Sequence, residues 1–411
     1  MSHIQPFKAL RPQISLASKV ASRPYDVLNS AEARLEVVDN PYSFLRITKS
    51  EVSLPESIDI HSEAVYEKAK ANLVDFITKN TLLREAKPCY YIYKLVMNGR
   101  SQTGLVCASS VDDYEKGIIK KHEFTRPEKE LDRINHIKTS GAQTGNVFLA
   151  YKNEASIDIL IANWQSSNTP IYDFTAEDGI QHTIWIVDDD NEIASITNLF
   201  DTKVPCTYIA DGHHRAASAA KVRQALGAAA TEGTNYFLTT LFPSNQLFIM
   251  DYNRVVKDLN GHSATDFLQL LTTKFEVSLV GSTPYKPTEL HHFGLYLEGN
   301  WYQLVAKENS YTTDPIGVLD VTILQNNILD ELLAIKDPRT DTRIDFVGGI
   351  RGLVALEERV NSGAMAAAFS LYPVTIQQLF DIADSGNVMP PKSTWFEPKL
   401  RDGLLTHLIY E

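Results

Sequence analysis

The chain has 411 residues, with 39 Lys and Arg against 51 Asp and Glu, for a formal charge of -12. That length suits two or three domains with substantial cores. The acidic balance argues against a broad basic surface for nucleic acid but leaves room for a local pocket for a small anion. Hydrophobic residues at 44% and charged residues at 22% are ordinary for a globular chain. No apolar run reaches the ~18 residues of a membrane span. The N-terminus carries no signal-peptide core, so a cytoplasmic setting is expected. Cys89, Cys107 and Cys206 have no C-x-x-C spacing. They read as inert thiols rather than a disulfide or zinc framework.

Taken in chain order, residues 62–79 have helical spacing of Val65, Ala69, Leu73 and Phe76, with Ser62 as a cap. Residues 89–97 and 103–108 form a hairpin about Asn98-Gly99. Thr125 and Glu128 have capping-box spacing, so a helix is expected from there to about Thr139, with Gly141 after its end. A strand at 147–151, a helix at 154–165, a turn at Asp178-Gly179 and a strand at 181–187 follow. After another strand at 235–242, a hairpin is expected about Gly299-Asn300. A long amphipathic helix is expected over 320–335, then a helix over 351–361, a buried strand over 364–372 and a helix capped from Thr375. This mixture predicts an α/β or mixed α+β fold with hairpin-rich mixed sheets. The expected domains are 1–250, 251–388 and a C-terminal segment 389–411 returning to the site.

The most informative stretch is Asp211-Gly212-His213-His214-Arg215, between a strand-like run and an alanine-rich helical run. A glycine turn at a helix start lets an anion approach the free N–H groups. Arg215 is poorly placed for the helix dipole but suits a phosphate or carboxylate. Asp211 offers a base or Mg²⁺ ligand, and His213 and His214 offer proton carriers. The plainer alternative makes Asp211 a helix cap and the histidines surface groups. A second cluster, His122-Glu123, precedes the next capped helix, with Arg126 at the same end. A third, Met389-Pro390-Pro391-Lys392-Ser393-Thr394, offers an ammonium and two hydroxyls on a proline-stiffened tail. The signatures of zinc peptidases, serine hydrolases and Rossmann folds are absent.

These motifs, with Phe7-Lys8-Ala9-Leu10-Arg11-Pro12 and Arg23-Pro24-Tyr25-Asp26-Val27, resemble an uncharacterised bacterial and archaeal family, the domain of unknown function numbered one thousand and fifteen. More distantly, Gly212-His213-His214-Arg215 is similar to the G-x-H-R pattern of sulfiredoxin-like and ParB-like nucleotide-binding domains and the D-G-x-H-R of free-serine kinases. That resemblance implies a ParB/sulfiredoxin-like nucleotide-binding element plus a second α/β lobe. It also implies phosphate contact for Gly212, His214 and Arg215, and a catalytic or metal role for Asp211. Sulfiredoxin has its cysteine where this chain has His213, which removes sulfinic-acid chemistry. The kinases need a glutamate elsewhere, for which Glu123 is the candidate. A setting beside serine-biosynthesis enzymes is implied as well, and it tilts the substrate towards serine or phosphoserine.

The expected function is therefore a phosphotransferase or phosphatase on a small hydroxy or phosphorylated metabolite, using ATP or ADP with Mg²⁺. Arg215, Lys392, Ser393, Thr394, Arg126 and the helix start at Gly212 would bind phosphate. Asp211, Glu123, His122 and His213 would carry the proton chemistry. A non-catalytic nucleotide sensor is the alternative. A metal hydrolase on His213 and His214 ranks last, because adjacent histidines usually diverge. Neither nucleic acid nor membrane is an expected partner, and a homodimer is left open.

Overall fold

A computed structural model describes residues 1–410. The chain divides into two compact units, Met1–Leu247 with Pro398–Glu411, and Phe248–Glu397. The sequence expectation placed the divisions at 250 and 388. Residues 389–397, expected in the returning tail, belong to the second unit.

The first unit is built on a mixed nine-stranded sheet. Its strands are β1 (Ile4–Gln5), β2 (Tyr90–Met97), β3 (Arg100–Ser110), β4 (Ile119–Lys120), β5 (Val147–Tyr151), β6 (Tyr172–Thr175), β7 (Gln181–Val187), β8 (Thr207–Asp211) and β9 (Tyr236–Pro243). The order is β4-β8-β5-β9-β3-β2-β7-β6, with β1 also paired to β3. Two neighbouring pairs, β4 with β8 and β5 with β9, are parallel. The remaining pairs, such as β3 with β9, are antiparallel. In β2, four successive residues, Tyr90, Tyr91, Ile92 and Tyr93, are all buried. Alternate side chains point to opposite faces, so this sheet is covered on both sides. The hairpin at Asn98-Gly99 forms as expected, with both residues at positive φ (52° and 76°).

Among the helices of this unit are α1 (Glu63–Thr78), α2 (Pro127–Ser140), α3 (Ala155–Ser167), α4 (Asp190–Lys203) and α5 (His213–Leu226). Gly141 ends α2 in the left-handed conformation. The Thr125 capping box does not form. Pro127 opens the helix, Arg126 is the N-cap without a side-chain bond, and Thr125 falls one position too early. Ser62 precedes α1 but makes no capping bond. Helix α5 buries eight of its residues, half of them alanine. Small side chains let α5 lie close to α2, where Ser218 Oγ donates to the carbonyls of His214 (2.7 Å) and Glu130 (3.2 Å).

The second unit holds a six-stranded, wholly antiparallel sheet. Its strands are β10 (Tyr252–Val256), β11 (Phe275–Gly281), β12 (His292–Leu297), β13 (Asn300–Ala306), β14 (Ile344–Gly348) and β15 (Ala367–Leu371), in the order β11-β13-β12-β15-β10-β14. Around it lie α6 (Ala264–Leu271), α7 (Asp320–Leu324), α8 (Val354–Asn361) and α9 (Ile376–Asp384). Thr375 and Gln378 form the capping box of α9. The hairpin between β12 and β13 turns on Glu298 and Gly299, one residue earlier than expected. The helix expected over 320–335 is α-helical only to Leu324 and continues as a π-helix over Gln325–Asp330. Periodicity alone cannot separate 3.6 residues per turn from a wider local winding. A mixed sheet in the first unit and an antiparallel one in the second, each with flanking helices, make the chain a mixed α+β protein, and no described helix is long and apolar enough to cross a membrane.

Candidate active site

The parallel pair β4 and β8 delivers two chain segments to one sheet edge, each leading into a helix. Strand β8 ends at Asp211, and Gly212 (φ 97°, ψ 31°) turns the chain into α5. A side chain at Gly212 would be strained by that φ, and its Cβ would meet the Arg215 guanidinium at 3.2 Å. Gly212 is itself the N-cap, and no side chain caps α5. The plainer expectation for Asp211, an ordinary helix cap, is therefore incorrect. The carboxylate instead accepts from Lys399 Nζ at 3.0 Å and lies 3.6 Å from Arg215 Nη2.

Arg215 does not stand open at the helix start. It is buried and folds back beneath Gly212. Its Nη1 donates to the Asn146 carbonyl, and its Nη2 reaches Asp26 Oδ2 at 3.4 Å. Burial opposes its charge, but Asp26 and Asp211 hold the guanidinium firmly protonated, with smaller contributions from Tyr25 and Asp402. For Asp211, burial again opposes the charge. Lys399 and then Arg215 outweigh it and hold the carboxyl well below the usual range. Asp402 lies buried in the same cluster with one carboxylate oxygen lacking a partner, and burial pushes it up to about 7, with Arg215 opposing.

The two histidines diverge onto the segment joining β4 to α2. His213 Nε2 accepts from the His122 backbone N–H at 3.4 Å, and His214 Nε2 accepts from that of Arg126 at 2.9 Å. Both rings are therefore neutral in this arrangement. Burial is the chief cause that pushes His213 well below its ordinary range, with His122 adding to it, and burial likewise lowers His214. The His213 Nδ1 faces Glu123 Oε2 at 3.9 Å. The rings of His122 and His213 meet edge-on, 4.5 Å between centroids at 88°. His122 is buried and pushed down to about 4 by burial, partly countered by Asp211 and the Ile209 backbone. Neither of its ring nitrogens meets a partner in hydrogen-bond geometry.

Asp211, Gly212, His213, His214, Arg215, His122, Glu123 and the Arg126 backbone are thus brought together within the first unit. The Arg126 side chain is exposed. Lys392, Ser393 and Thr394 belong to the second unit, and there Ser393 Oγ is turned inward to the Pro390 carbonyl at 2.6 Å. Sequence reasoning missed Lys399, Asp26 and Asp402 as site residues. Asp26 sits in the quoted Arg23-Pro24-Tyr25-Asp26-Val27 motif, which was the available signal. Lys399 ends the C-terminal run that opens at Met389, with Asp402 three residues beyond it, and both lie nearly two hundred residues from Asp211.

The sequence profile of proteins of unknown function (DUF1015) matches residues 4–322. The chain belongs to this family. No curated protein matches it in sequence. Among solved structures, the chain is similar to a free serine kinase variant in complex with AMP, at 14% identity, over 74% of this chain and 91% of that one, with a TM-score of 0.36. It is similar to a conserved hypothetical protein from Pyrococcus furiosus at 14% identity, over 74% and 94%, with a TM-score of 0.35. A C-terminally truncated SbnI from Staphylococcus aureus matches at 11% identity, over 74% and 87%, with a TM-score of 0.32. Scores this low do not bear on function.

Proposed function

We propose that the β8–α5 turn binds a phosphate group and that the chain transfers phosphoryl between a nucleotide and a small hydroxy compound. The observation that carries this reading is an α-helix start of 14 residues with no side-chain cap, flanked by Lys399 and by two neutral histidines. Uncapped first-turn N–H groups with a nearby ammonium are a ready anion site. The His122 ring, buried edge-on against His213, adds another neutral imidazole beside the turn.

The roles divide by electrostatics. Asp211 is held ionised by Lys399 and Arg215, so it is a weak proton acceptor at neutral pH. Its task is to orient Lys399 towards the phosphate. Glu123, beside His213 Nδ1, is the better base for a substrate hydroxyl. Among the described residues no group of three or more His, Cys, Asp or Glu could hold a metal alone. A Mg²⁺ ion would arrive with nucleotide phosphates and neutralise their charge, with Asp211 or Glu123 as its one protein carboxylate. Arg215 acts from beneath, holding Asp211, Asp26 and the Asn146 carbonyl in place. Positioning and charge neutralisation would supply most of the rate.

The motif resemblance makes serine the first hydroxy substrate to test, and phosphoserine the first for the reverse or hydrolytic direction. The experiment incubates the full chain with Mg²⁺, ATP or ADP, and serine or phosphoserine, following phosphorus species by ³¹P NMR. Formation or loss of phosphoserine supports the reading. Saturable nucleotide binding with no turnover across a panel of hydroxy compounds would favour the sensor instead. Absence of both binding and turnover would overturn the phosphate site.

A further inference from the structure

Strand β10, next to the edge strand β14 of the second unit's sheet, carries a buried arginine at its middle, Arg254, 3% exposed. Its guanidinium donates to two backbone carbonyls only, Nη1 to Tyr252 and Nη2 to Lys392 (3.1 Å). Among the described residues, no carboxylate lies within 4.0 Å of Arg254 or of Lys392. The nearest acid in sequence, Asp251, is occupied by Lys286 at 3.1 Å and by Asn253 at 2.7 Å. Buried arginines are ordinarily paired, because an isolated charge in a low dielectric is costly. Burial lowers the Arg254 guanidinium to about 10, with only Tyr252 working the other way.

The surroundings add a second cation and a floor. Lys392 is exposed, and its Nζ lies 5.7 Å from the centre of the Tyr252 ring. The Arg254 guanidinium lies 5.3 Å from that of Phe346. Tyr252 meets Trp395 edge-on at 5.1 Å, and the indole covers Gly348, where a Cβ would approach it at 3.2 Å. Lys392 itself sits at φ 58°, a left-handed conformation that a lysine seldom adopts. That conformation aims its carbonyl at Arg254 while its ammonium stays in solvent. The loop over residues 390–394 thus covers the guanidinium with one weak acceptor, where a charged one would bind better.

We infer that Arg254 and Lys392 form an anion site in the second unit, which takes the phosphate group of a small molecule as the missing counter-charge. A phosphate would replace the Lys392 carbonyl on Nη2 and bridge to the Lys392 ammonium, with the loop over residues 390–394 shifting to admit it. The aromatic floor of Tyr252, Phe346 and Trp395 suits a ligand whose phosphate is attached to a flat or apolar body. The site is independent of the β8–α5 turn and does not rest on the function proposed for it.

The test is titration calorimetry of the full chain with inorganic phosphate and with pyrophosphate, on wild type, Lys392→Gln, Arg254→Met and Asp211→Asn. Lys392 is exposed, so Lys392→Gln folds normally. Its phosphate affinity at this site should fall about tenfold or more, as expected for one charged hydrogen bond. Arg254→Met should remove the site altogether while keeping or raising thermal stability, since an unpaired buried charge is gone. Asp211→Asn should leave this binding unchanged, which separates it from any phosphate held at the first turn. Wild-type heats equal to those of Lys392→Gln, or heats lost only in Asp211→Asn, would overturn the inference. So would the absence of any phosphate binding. Should Arg254→Met fail to fold, Lys392→Gln decides alone.

Discussion

Arg215 in the first unit and Arg254 in the second are both buried guanidiniums, and both donate to a backbone carbonyl through Nη1. Arg215 also has Asp26 at 3.4 Å and Asp211 at 3.6 Å, and its charge is reinforced. Arg254 has no acid within 4.0 Å among the described residues, and its charge is weakened. One arginine is therefore a structural keystone among carboxylates, while the other is a cation awaiting an anion. The difference teaches that an arginine beside a glycine turn is not by itself a phosphate site. What matters is whether its counter-charge is already inside the protein. In the first unit that role passes from Arg215 to Lys399 and the uncapped helix start.

The sharpest way to break this comparison is to remove each guanidinium. Arg215→Met should destabilise the fold by about 3–5 kcal/mol, because Asp26, Asp211 and Asp402 would face one another without their central cation. Urea unfolding measures it, and a loss no larger than that of Arg254→Met would erase the distinction. Arg215 is poorly placed for the helix dipole, yet its buried guanidinium is the cation these carboxylates share.

A pH series sharpens the same comparison. Asp402 is raised to about 7 in the folded chain, against roughly 3.9 when unfolded. The folded state therefore binds more protons between those values, and stability falls as pH rises. The contribution is fully present below about pH 4 and is lost once pH passes the folded value, with an upper bound of about 4 kcal/mol. His122, lowered to about 4, works in the opposite sense, its contribution being lost as pH falls below about 6.5. The difference between wild type and Asp402→Asn isolates the first effect. Wild type should lose stability relative to the variant from pH 4.5 to 7.5, and parallel curves would show that Asp402 is not raised.

Asp211→Asn tests the paired cluster in function. The amide keeps the shape and can still accept from Lys399, but it loses the charge that holds the ammonium. Phosphoryl transfer should fall by about a hundredfold, a barrier change of about 2.7 kcal/mol. Full activity in the variant would remove Asp211 from the mechanism and leave Glu123 to carry it.

Much of this cluster was legible in local sequence, and the rest was not, for a definite reason. The turn at Gly212, the hairpin at Asn98-Gly99 and the capping box at Thr375 are set by residues within four positions of one another, so spacing reveals them. The divergence of His213 and His214 also follows from helix geometry, which points adjacent side chains apart. The pairing of Asp211 with Lys399 spans 188 positions, and that of Arg215 with Asp26 spans 189. Nothing in local pattern records which distant charge a fold will place opposite an aspartate. A lysine on a stiff segment likewise carries no mark of the unit it joins, and Lys392 belongs to the second.

The smallest effect concerns Arg126, which sequence reading counted as a phosphate ligand. Its side chain is exposed, while its backbone N–H donates to His214 Nε2 at 2.9 Å. The residue's part in the site is therefore made by the main chain. Arg126→Ala keeps that N–H and should change stability by less than about 0.5 kcal/mol, as for other exposed positions. Arg126→Pro deletes the donor and leaves the His214 nitrogen without its partner, which should cost about 1–3 kcal/mol. Phosphate or nucleotide affinity should follow the same order, unchanged in the first variant and weakened in the second. A clear loss of affinity in Arg126→Ala, with the fold intact, would restore the guanidinium as a ligand and extend the first site outward to the start of α2.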